Sequence, residues 1–294
     1  MRLPKFEYLT PATIDEAFSI LLEYGENARV LAGGTDLLVK MKHRALIPLP
    51  EYVVNIKKIP GLNFISYDEE EGLRIGALAT MQEIKSLLPI RQNFPGLAQA
   101  AGLLSTPQIR NMATIGGNLC NASPAAETAP ALITSAATAK IVGQSGERTV
   151  AVEDLFTGPG ETVIQQGELL AEIQVPNPPP NSTGVYLKHG KRLSDIAIVG
   201  VAVSMTMDDG VCTDAKIALA SAGPTPMRVR RAEELIKGQK VSQELIEEVA
   251  KIASEESKPM DDLRAYADYR KEKVVVLVRE AIKQGLQQIR LGGS

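Results

Sequence analysis

The spacing of apolar residues switches between helical and strand-like periods along the chain, which predicts a protein of mixed α and β structure. Apolar positions recur at helical spacing over Thr13–Tyr24, and a threonine followed three residues later by Glu16 is typical of a capped helix start. Runs rich in β-branched and aliphatic residues predict strands at Arg29–Leu31 and Tyr52–Ile56. We therefore expect a compact first lobe of strand, helix and strand that ends near Lys58.

A second lobe is expected next, because strand-like and helix-like segments alternate again up to Val175. Thr80 precedes one predicted helix as its N-cap, and the turn Gln144–Gly146 is expected to close a hairpin. The predicted strands and helices of this lobe are Gly72–Gly76, Met81–Leu88, Leu97–Leu104, Ala139–Val142, Arg148–Val150 and Leu169–Val175.

Pro176–Ser182 contains three consecutive prolines, which favour neither helix nor sheet and predict a stiff linker. Strands and then helices are predicted beyond it, and Asp208–Gly210 is expected to be a hairpin turn. These elements are strands Gly184–Leu187, Ala197–Met207 and Val211–Ala220, and helices Arg231–Lys237, Ser242–Ser254 and Lys271–Gln288.

The composition, 44% hydrophobic and 23% charged over 294 residues, is that of a soluble globular protein. A net charge of −3 and a pI near 5.7 give no reason to expect nucleic acid or an acidic membrane surface as a partner. No apolar run has the length of a membrane span, and the N-terminal residues lack the apolar core of a signal peptide. We therefore expect a cytoplasmic protein.

Residues suited to metal or nucleophilic catalysis are scarce in this sequence. The two cysteines, Cys120 and Cys212, cannot build a four-thiolate zinc or iron–sulfur site. Their number allows one disulfide, but a cytoplasmic location favours free thiols. The two histidines, His43 and His189, are a poor supply for metal hydrolysis or a Ser-His-Asp triad. Any chemistry is therefore expected to depend on a bound organic cofactor.

The first of two glycine motifs is AGGTD, at Ala32–Asp36, directly after a predicted strand. Paired glycines permit positive φ and leave successive N–H groups free to point at one anion, and Thr35 adds a hydroxyl donor. The motif is neither the Rossmann fingerprint nor a P-loop, because a third glycine at the required spacing and a following Lys-Ser or Lys-Thr are both missing. Taken alone, it fits a phosphate-binding loop or a plain strand–turn–strand connection.

The second motif is TIGGN, at Thr114–Asn118, followed by small residues up to Pro124. Its paired glycines indicate close approach of a backbone, either to a ligand or to another segment of the chain. Downstream, Glu127 precedes an alanine-rich stretch, where a carboxylate suits hydrogen bonds from ribose hydroxyls. Together, the two motifs indicate two lobes that hold one extended ligand with a pyrophosphate.

With these motifs, the chain resembles the FAD-binding medium subunits of molybdenum hydroxylases, the family of xanthine dehydrogenase, carbon monoxide dehydrogenase and nicotinate dehydrogenase. The resemblance covers essentially the whole chain. Besides AGGTD and TIGGN it rests on the segments Ser105–Asn111, Asn121–Leu132, Lys191–Ala197 and Gly223–Arg228.

The resemblance implies an α+β protein with the two-lobed FAD-binding fold of the vanillyl-alcohol oxidase type, followed by a small α+β domain. The FAD-binding domain would comprise residues 1–176, with lobes of about 1–58 and 59–176. The C-terminal domain would comprise residues 183–290.

The resemblance also implies which residues bind FAD. The two glycine motifs would hold the pyrophosphate through main-chain N–H groups, Glu127 the adenosine side, and Leu170 the isoalloxazine end. Lys188 would reach the flavin, unless it is a solvated lysine at a strand end. The implied FAD-binding residues are Val30, Leu31, Ala32, Gly33, Gly34, Thr35, Asp36, Leu37, Ser105, Thr114, Ile115, Gly116, Gly117, Asn118, Glu127, Leu170, Lys188, Asp195 and Ile196.

Ser105 would lie against the cofactor, and Asp195 and Ile196 would line the ring face where an electron acceptor docks. Tyr186 is expected to belong to the core rather than to contact the cofactor, and the basic run Arg228–Arg231 to be a solvated helix start or an intersubunit contact.

The resemblance further implies an electron-transfer subunit without a catalytic nucleophile or a metal site of its own. A large subunit would carry molybdopterin, and a small subunit with two [2Fe–2S] clusters would pass electrons to FAD and then to NAD⁺, a quinone or another acceptor. Two alternatives are a self-sufficient flavin oxidoreductase of the same fold, and an assembly protein that uses the glycine loops only for packing.

Overall fold

The computed structural model describes residues 2–46 and 48–292, and the chain over these ranges forms four β-sheets with α-helices packed on them. This arrangement confirms the predicted α+β class. Within the described ranges, no helix combines the length and the apolar character needed to cross a membrane.

The first lobe is a three-stranded parallel sheet, ordered β1-β3-β2, with two helices. Its helix α1 begins where the sequence predicts, because Thr13 Oγ1 accepts a hydrogen bond from the Glu16 N–H and so satisfies a free helix donor. Strand β1 was missed, since it has only three residues and exposes most of them. The elements are β1 (Glu7–Leu9), α1 (Ile14–Tyr24), β2 (Ala28–Leu31), α2 (Leu37–Lys42) and β3 (Tyr52–Asn55).

The second lobe is built on a five-stranded antiparallel sheet, ordered β4-β5-β10-β6-β7, beside a short two-stranded sheet of β8 and β9. The predicted hairpin is present as β6 and β7. The strands are β4 (Ile65–Asp68), β5 (Gly72–Gly76), β6 (Thr138–Gly143), β7 (Gly146–Ala151), β8 (Phe156–Gly158), β9 (Glu161–Thr162) and β10 (Leu169–Val175).

Six short helices contribute to the hydrophobic core of this lobe, and two of them correct the sequence analysis. The helix predicted over Met81–Leu88 ends at Ser86, because Leu87 is extended and a new helix begins at Leu88 with Pro89 in its first turn. The TIGGN segment, predicted as a loop, is the start of a helix capped by Thr114. The helices are α3 (Met81–Ser86), α4 (Leu88–Asn93), α5 (Pro95–Leu103), α6 (Pro107–Arg110), α7 (Ile115–Cys120) and α8 (Thr128–Thr134).

The segment after Val175 leads into a four-stranded antiparallel sheet, ordered β11-β12-β13-β14, with three helices. The predicted turn at Asp208–Gly210 is confirmed, and Asp209 and Gly210 have the positive φ that such turns require. The elements are β11 (Ser182–His189), β12 (Val199–Asp208), β13 (Val211–Ala220), β14 (Met227–Arg228), α9 (Arg230–Ile236), α10 (Gln243–Glu256) and α11 (Ala267–Gly292).

Helix α5 covers the open edge of this last sheet at strand β11. The Tyr186 N–H donates to Gln99 Oε1 at 2.8 Å, which satisfies an edge-strand donor with a side chain of the second lobe. The backbones of Gly96 and Gly184 approach so closely that a Cβ on Gly96 would lie 3.2 Å from the Gly184 carbonyl carbon. Tyr186 belongs to the same hydrophobic core as α5, as predicted, so the C-terminal sheet and the second lobe pack as one body.

Candidate functional site

A cavity of about 760 Å³ lies between the two lobes and is closed on one side by the segment after β11. Its volume is within the range of small-molecule and cofactor sites. Both glycine motifs line it, together with the turn at Ser105, the segment from Gly160 to Leu170, and Ser194. Fifteen of the predicted residues line the cavity: Val30, Ala32, Gly33, Gly34, Thr35, Asp36, Leu37, Ser105, Thr114, Gly116, Gly117, Asn118, Glu127, Leu170 and Ile196.

Four predicted residues, Leu31, Ile115, Lys188 and Asp195, do not line the cavity. Leu31 is buried with Met41 and Val53 in a small hydrophobic core within the first lobe. Ile115 is fully buried in the core of the second lobe. Strand and helix periodicity explains both, because each side chain points away from the face that its neighbours present to the cavity.

In each glycine pair, one glycine is required by packing within the chain. A Cβ on Gly33 would overlap the carbonyl oxygen of Met112, and a Cβ on Gly116 would lie 2.6 Å from Ala77 Cβ and 2.7 Å from the Ala77 oxygen. The alternative interpretation, close packing, is therefore correct for these two residues.

The other glycine of each pair has a different environment. Gly34 has φ +75°, a conformation that side chains rarely adopt. Gly117 faces the AGGTD loop, where the nearest atom of another segment is Ala32 Cβ, 3.9 Å from a Cβ built on Gly117. The two motifs thus face each other across the cavity.

The backbone N–H groups of the two motifs differ in what they bind. Residues 33–36 of AGGTD have no hydrogen-bond acceptor for their N–H groups within the described ranges. By contrast, all four donors of the TIGGN helix are used: Ile115 N–H binds Ala79 O, Gly116 N–H binds Ala77 O, Gly117 N–H binds Thr114 Oγ1, and Asn118 N–H binds Thr114 O. The N–H groups of the TIGGN helix are therefore not available to an anion, and the main-chain anion site stays a prediction for AGGTD only.

Lys188 lies at the end of β11 and is buried, with 2% of its side chain exposed. Its ammonium donates to Leu103 O at 2.6 Å and Asp195 O at 2.8 Å, and lies 3.4 Å from Glu127 Oε1. The alternative of a solvated lysine is therefore wrong. The three acceptors match the three donors of an ammonium group, so Lys188 joins α5, the segment after β11 and Glu127.

Glu127 is the acidic member of this cluster and lines the cavity. Burial raises the pKa of its carboxyl above the ordinary value, and the neighbouring Lys188 opposes that shift. Tyr186, two residues before Lys188 on β11, is buried as well, and burial with the nearby Glu127 charge raises the pKa of its phenol. Its hydroxyl has no hydrogen-bond partner among the described residues.

Asp195 and Ile196 occupy the segment between β11 and β12, and they have different roles. The Asp195 carboxylate accepts a hydrogen bond from the Arg192 N–H at 3.1 Å and closes a local turn, while its carbonyl binds Lys188. Ile196 lines the cavity although 59% of its surface is exposed. This segment therefore presents Ile196, and not the Asp195 carboxylate, at the mouth of the cavity.

Several residues at the cavity were missed by sequence reasoning. Lys40 Nζ donates to Asn121 Oδ1 at 2.6 Å and joins α2 to the end of α7, so it connects the lobes. Its position one helical turn after Asp36 was the available signal. Thr128 was missed as well: its Oγ1 donates to Oδ1 of the predicted Asn118 at 2.7 Å and fixes the orientation of that amide. Cys120, a free cysteine, also lines the cavity.

Arg110 was not predicted as a site residue, but its side chain supports the turn at Ser105. Its Nη1 donates to both Leu104 O and Ser105 O at 3.0 Å. Ser105 has φ +44°, which is uncommon for a residue other than glycine.

The basic run at Arg228–Arg231 takes part in contacts within the chain. Arg228 pairs with Glu233 at 2.6 Å and with Glu153 of the second lobe at 3.2 Å, and Arg230 pairs with Glu153 as well. This ion network adds to the contacts between the C-terminal sheet and the second lobe, and a wholly solvated helix start is therefore wrong.

The sequence matches the models of two known domain families. Residues 4–178 match the model of the FAD binding domain in molybdopterin dehydrogenase, and residues 185–284 match that of the CO dehydrogenase flavoprotein C-terminal domain.

Relatives match over nearly their full length. The chain is 33% identical over 281 residues to the glyceraldehyde dehydrogenase medium chain of Sulfolobus acidocaldarius, which covers 96% of this chain and 98% of the relative. It is 32% identical over 279 residues to the carbon monoxide dehydrogenase medium chain of Afipia carboxidovorans, with 95% and 96% covered.

A solved structure of carbon monoxide dehydrogenase from Hydrogenophaga pseudoflava, lacking the Mo-pyranopterin moiety of its cofactor, has a similar chain with a TM-score of 0.94. The identity is 32%, with 98% of this chain and 99% of the other covered. The chain therefore belongs to the family of FAD-binding medium subunits of the molybdenum hydroxylases, and it is an oxidoreductase subunit with an FAD-binding domain.

Proposed function

We propose that the chain holds FAD in the cavity between its lobes and passes electrons from the [2Fe–2S] clusters of a small subunit to NAD⁺, a quinone or another acceptor. FAD supplies the redox chemistry when it is bound. The observation that carries this proposal is that residues 33–36 line the cavity opposite Gly117, and that their N–H groups have no acceptor among the described residues. Successive free N–H groups form an anion-binding concavity, which suits a pyrophosphate.

The residues around this concavity fit the same ligand. Thr35 contributes a hydroxyl, and Gly34 keeps the loop in a conformation that lets its backbone face the cavity. Since the N–H groups of the TIGGN helix are used within the chain, we assign that helix the role of an opposing wall, where Gly117 leaves space and the Asn118 side chain supplies polar contact.

The remaining predicted residues divide between contact and support. We assign Glu127 to the ribose hydroxyls of the adenosine side, Leu170 to the isoalloxazine end, and Ile196 to the face that an acceptor approaches, since all three line the cavity. For Lys188 we propose support in place of flavin contact, because its ammonium already binds three oxygens of the chain.

Binding of the cofactor and support of its site would be divided between two domains. Residues 1–176 would form the cofactor-binding domain and residues 183–290 the C-terminal domain, which contributes Ile196 and the support from Lys188. A molybdopterin-bearing large subunit and a small subunit with two [2Fe–2S] clusters are the proposed partners; in support, the relatives are named medium chains of dehydrogenases, and the matching family model is that of a molybdopterin dehydrogenase. The cytoplasmic location stays a prediction.

The test begins with the purified chain after expression with sufficient FAD. We expect visible flavin absorbance with one FAD per chain, and reduction of that flavin by a reduced [2Fe–2S] subunit obtained by co-purification from the native host. The acceptor is then identified by mixing the reduced complex with NAD⁺ or a quinone and following flavin reoxidation.

Each alternative predicts a different result in the same experiment. A colourless protein that fails to retain added FAD would support the assembly role and overturn the proposal. Turnover of a small substrate by the flavin-loaded chain alone, without partner subunits, would support a self-sufficient oxidoreductase.

A further inference from the structure

Arg110, at the end of α6, is a buried cation without an acidic partner among the residues that the structure describes. Only 7% of the residue is exposed, and no carboxylate of the described ranges lies within salt-bridge distance of its guanidinium. Its Nε is buried and has no hydrogen-bond partner among these residues. Buried arginines are normally paired, because an isolated charge in a low-dielectric interior is costly.

The hydrogen bonds of Arg110 hold one turn of the backbone. Leu104 O and Ser105 O both accept from Nη1, and Leu103 O accepts from Lys188. Three consecutive carbonyls are thus bound by two buried cations. Because Ser105 is in the left-handed region at φ +44°, the turn needs such support to persist.

This turn forms part of the cavity wall. Leu104, Ser105 and Ile109 line the cavity, and Arg110 lies directly behind them in the chain. Arg110 itself does not line the cavity, so its effect on a ligand would act through the turn and through its charge.

We propose that Arg110 is a positioning residue for the bound flavin: it fixes the Leu104–Ser105 turn against the cofactor, and its unpaired positive charge favours the reduced form. The inference rests on the proposed function. Reduction adds negative charge to the site, and a fixed, buried cation such as Arg110 stabilises that charge more than a cation in water would. Arg110 therefore should affect both how tightly FAD is held and the potential at which it is reduced.

The test compares Arg110→Met and Arg110→Lys with wild type in the flavin-loaded full chain. We measure the FAD dissociation constant by fluorescence, the midpoint potential by dye-coupled redox titration, and the visible circular dichroism of the flavin. Arg110→Met is expected to weaken FAD binding about tenfold or more, which is about 1.4 kcal/mol, and to lower the potential. Arg110→Lys keeps the positive charge but not both hydrogen bonds of Nη1. Compared with Arg110→Met, its flavin midpoint potential should return most of the way to the wild-type value, and its FAD affinity should recover less.

The matched control is Arg270→Met. Arg270 is also buried and also holds two backbone carbonyls, those of Ile198 and Ser221, but Asp262 balances its charge at 2.7 Å and it does not line the cavity. Its loss should lower stability and leave the flavin potential and spectrum unchanged.

Where Arg110→Met does not fold, Ser105→Gly is combined with it, because glycine adopts the left-handed turn without strain and reduces the need for support. The double variant should fold and still show the lowered potential. If a folded variant that carries Arg110→Met has the wild-type FAD dissociation constant and the wild-type flavin potential, the inference is overturned. If the wild-type chain itself retains no FAD, the proposed function fails instead, and the two outcomes are distinct.

Discussion

The ammonium of Lys188 donates to the carbonyl oxygen of Leu103 at 2.6 Å, across the boundary between the C-terminal sheet and the second lobe. The same group binds Asp195 O and lies near Glu127, a residue that lines the cavity. A single buried cation thus links the helix that covers the edge strand, the segment at the cavity mouth, and the acidic side chain in the cavity wall. The geometry of the cavity and the packing of the two regions are therefore coupled through this residue.

The first prediction tests that coupling with Lys188→Met in the FAD-free chain. We expect a loss of about 3–5 kcal/mol in the free energy of unfolding, because Glu127 is left as a buried charge without a partner. In Lys188→Met combined with Glu127→Gln the loss should be clearly less than the sum of the single losses. Urea unfolding followed by circular dichroism measures all three values.

Lys216→Met is the control for that cycle, because Lys216 and its partner Asp214 are partly exposed and their pair is expected to be worth no more than about 1 kcal/mol. Additivity of the Lys188 and Glu127 changes to within about 0.5 kcal/mol would contradict the coupling.

The second prediction separates the two glycines of TIGGN. Gly117→Val should abolish FAD retention, since the added methyl groups occupy space between the motifs, while the apo chain loses only about 1 kcal/mol through crowding of the Thr114 cap, 2.8 Å from the new Cβ. Gly116→Ala should instead destabilise the apo chain by about 1–3 kcal/mol, because its Cβ meets the Ala77 backbone. Thermal unfolding of apo protein and flavin content after desalting distinguish the two effects. Stoichiometric FAD in a folded Gly117→Val variant would remove this residue from the site.

Local signals in the sequence were sufficient to predict most helices, strands and turns. They did not show which acceptor each backbone N–H group binds. Thr13 and Thr80 have capping sequences, and Asp209-Gly210 has turn chemistry, so these features follow from neighbouring residues alone. The break after Ser86 was not predicted, although Pro89 was an available signal, because proline lacks the N–H that a continuing helix needs.

For the glycine motifs, the sequence predicted their shared location but not their hydrogen-bond partners. That AGGTD and TIGGN line one cavity could be inferred from their composition and order. That the TIGGN donors are used by Ala77 and Ala79 could not, because those acceptors lie at the end of a strand whose position depends on the whole lobe. The burial of Lys188 and the support from Arg110 are likewise properties of distant segments brought together by folding.

The third prediction concerns pH and the pair of Arg74 and Glu172 on adjacent strands. Arg74 Nε and Nη2 bind the two carboxylate oxygens at 2.6 and 2.9 Å, and these bonds lower the pKa of Glu172 from its ordinary value of 4.5. A depressed pKa in the folded state contributes stability above pH 4.5 that is lost as the pH falls through the folded-state value.

Arg74→Met should therefore cost about 1 kcal/mol near neutral pH, a modest figure because the arginine is partly exposed, and the difference from wild type should shrink as the pH falls below 4.5. Urea unfolding at a series of pH values measures the difference. In the background of Glu172→Gln, the change at Arg74 should show no such pH dependence. A difference that is constant across the series would mean that the arginine acts through packing alone.

The last prediction concerns the cover that α5 provides for the edge strand. Gln99→Leu removes the acceptor of the Tyr186 N–H and leaves a donor of a buried residue unsatisfied, which should cost about 1–3 kcal/mol. Gln99→Glu keeps an oxygen at the same place and should lose much less. Gln92→Leu, on the exposed side of α4, controls for the apolar substitution and is expected to stay within about 0.5 kcal/mol of wild type. If Gln99→Leu and Gln92→Leu unfold at the same urea concentration, the hydrogen bond to β11 contributes nothing to holding the two regions together, and the interface depends on the Gly96–Gly184 approach and its apolar neighbours.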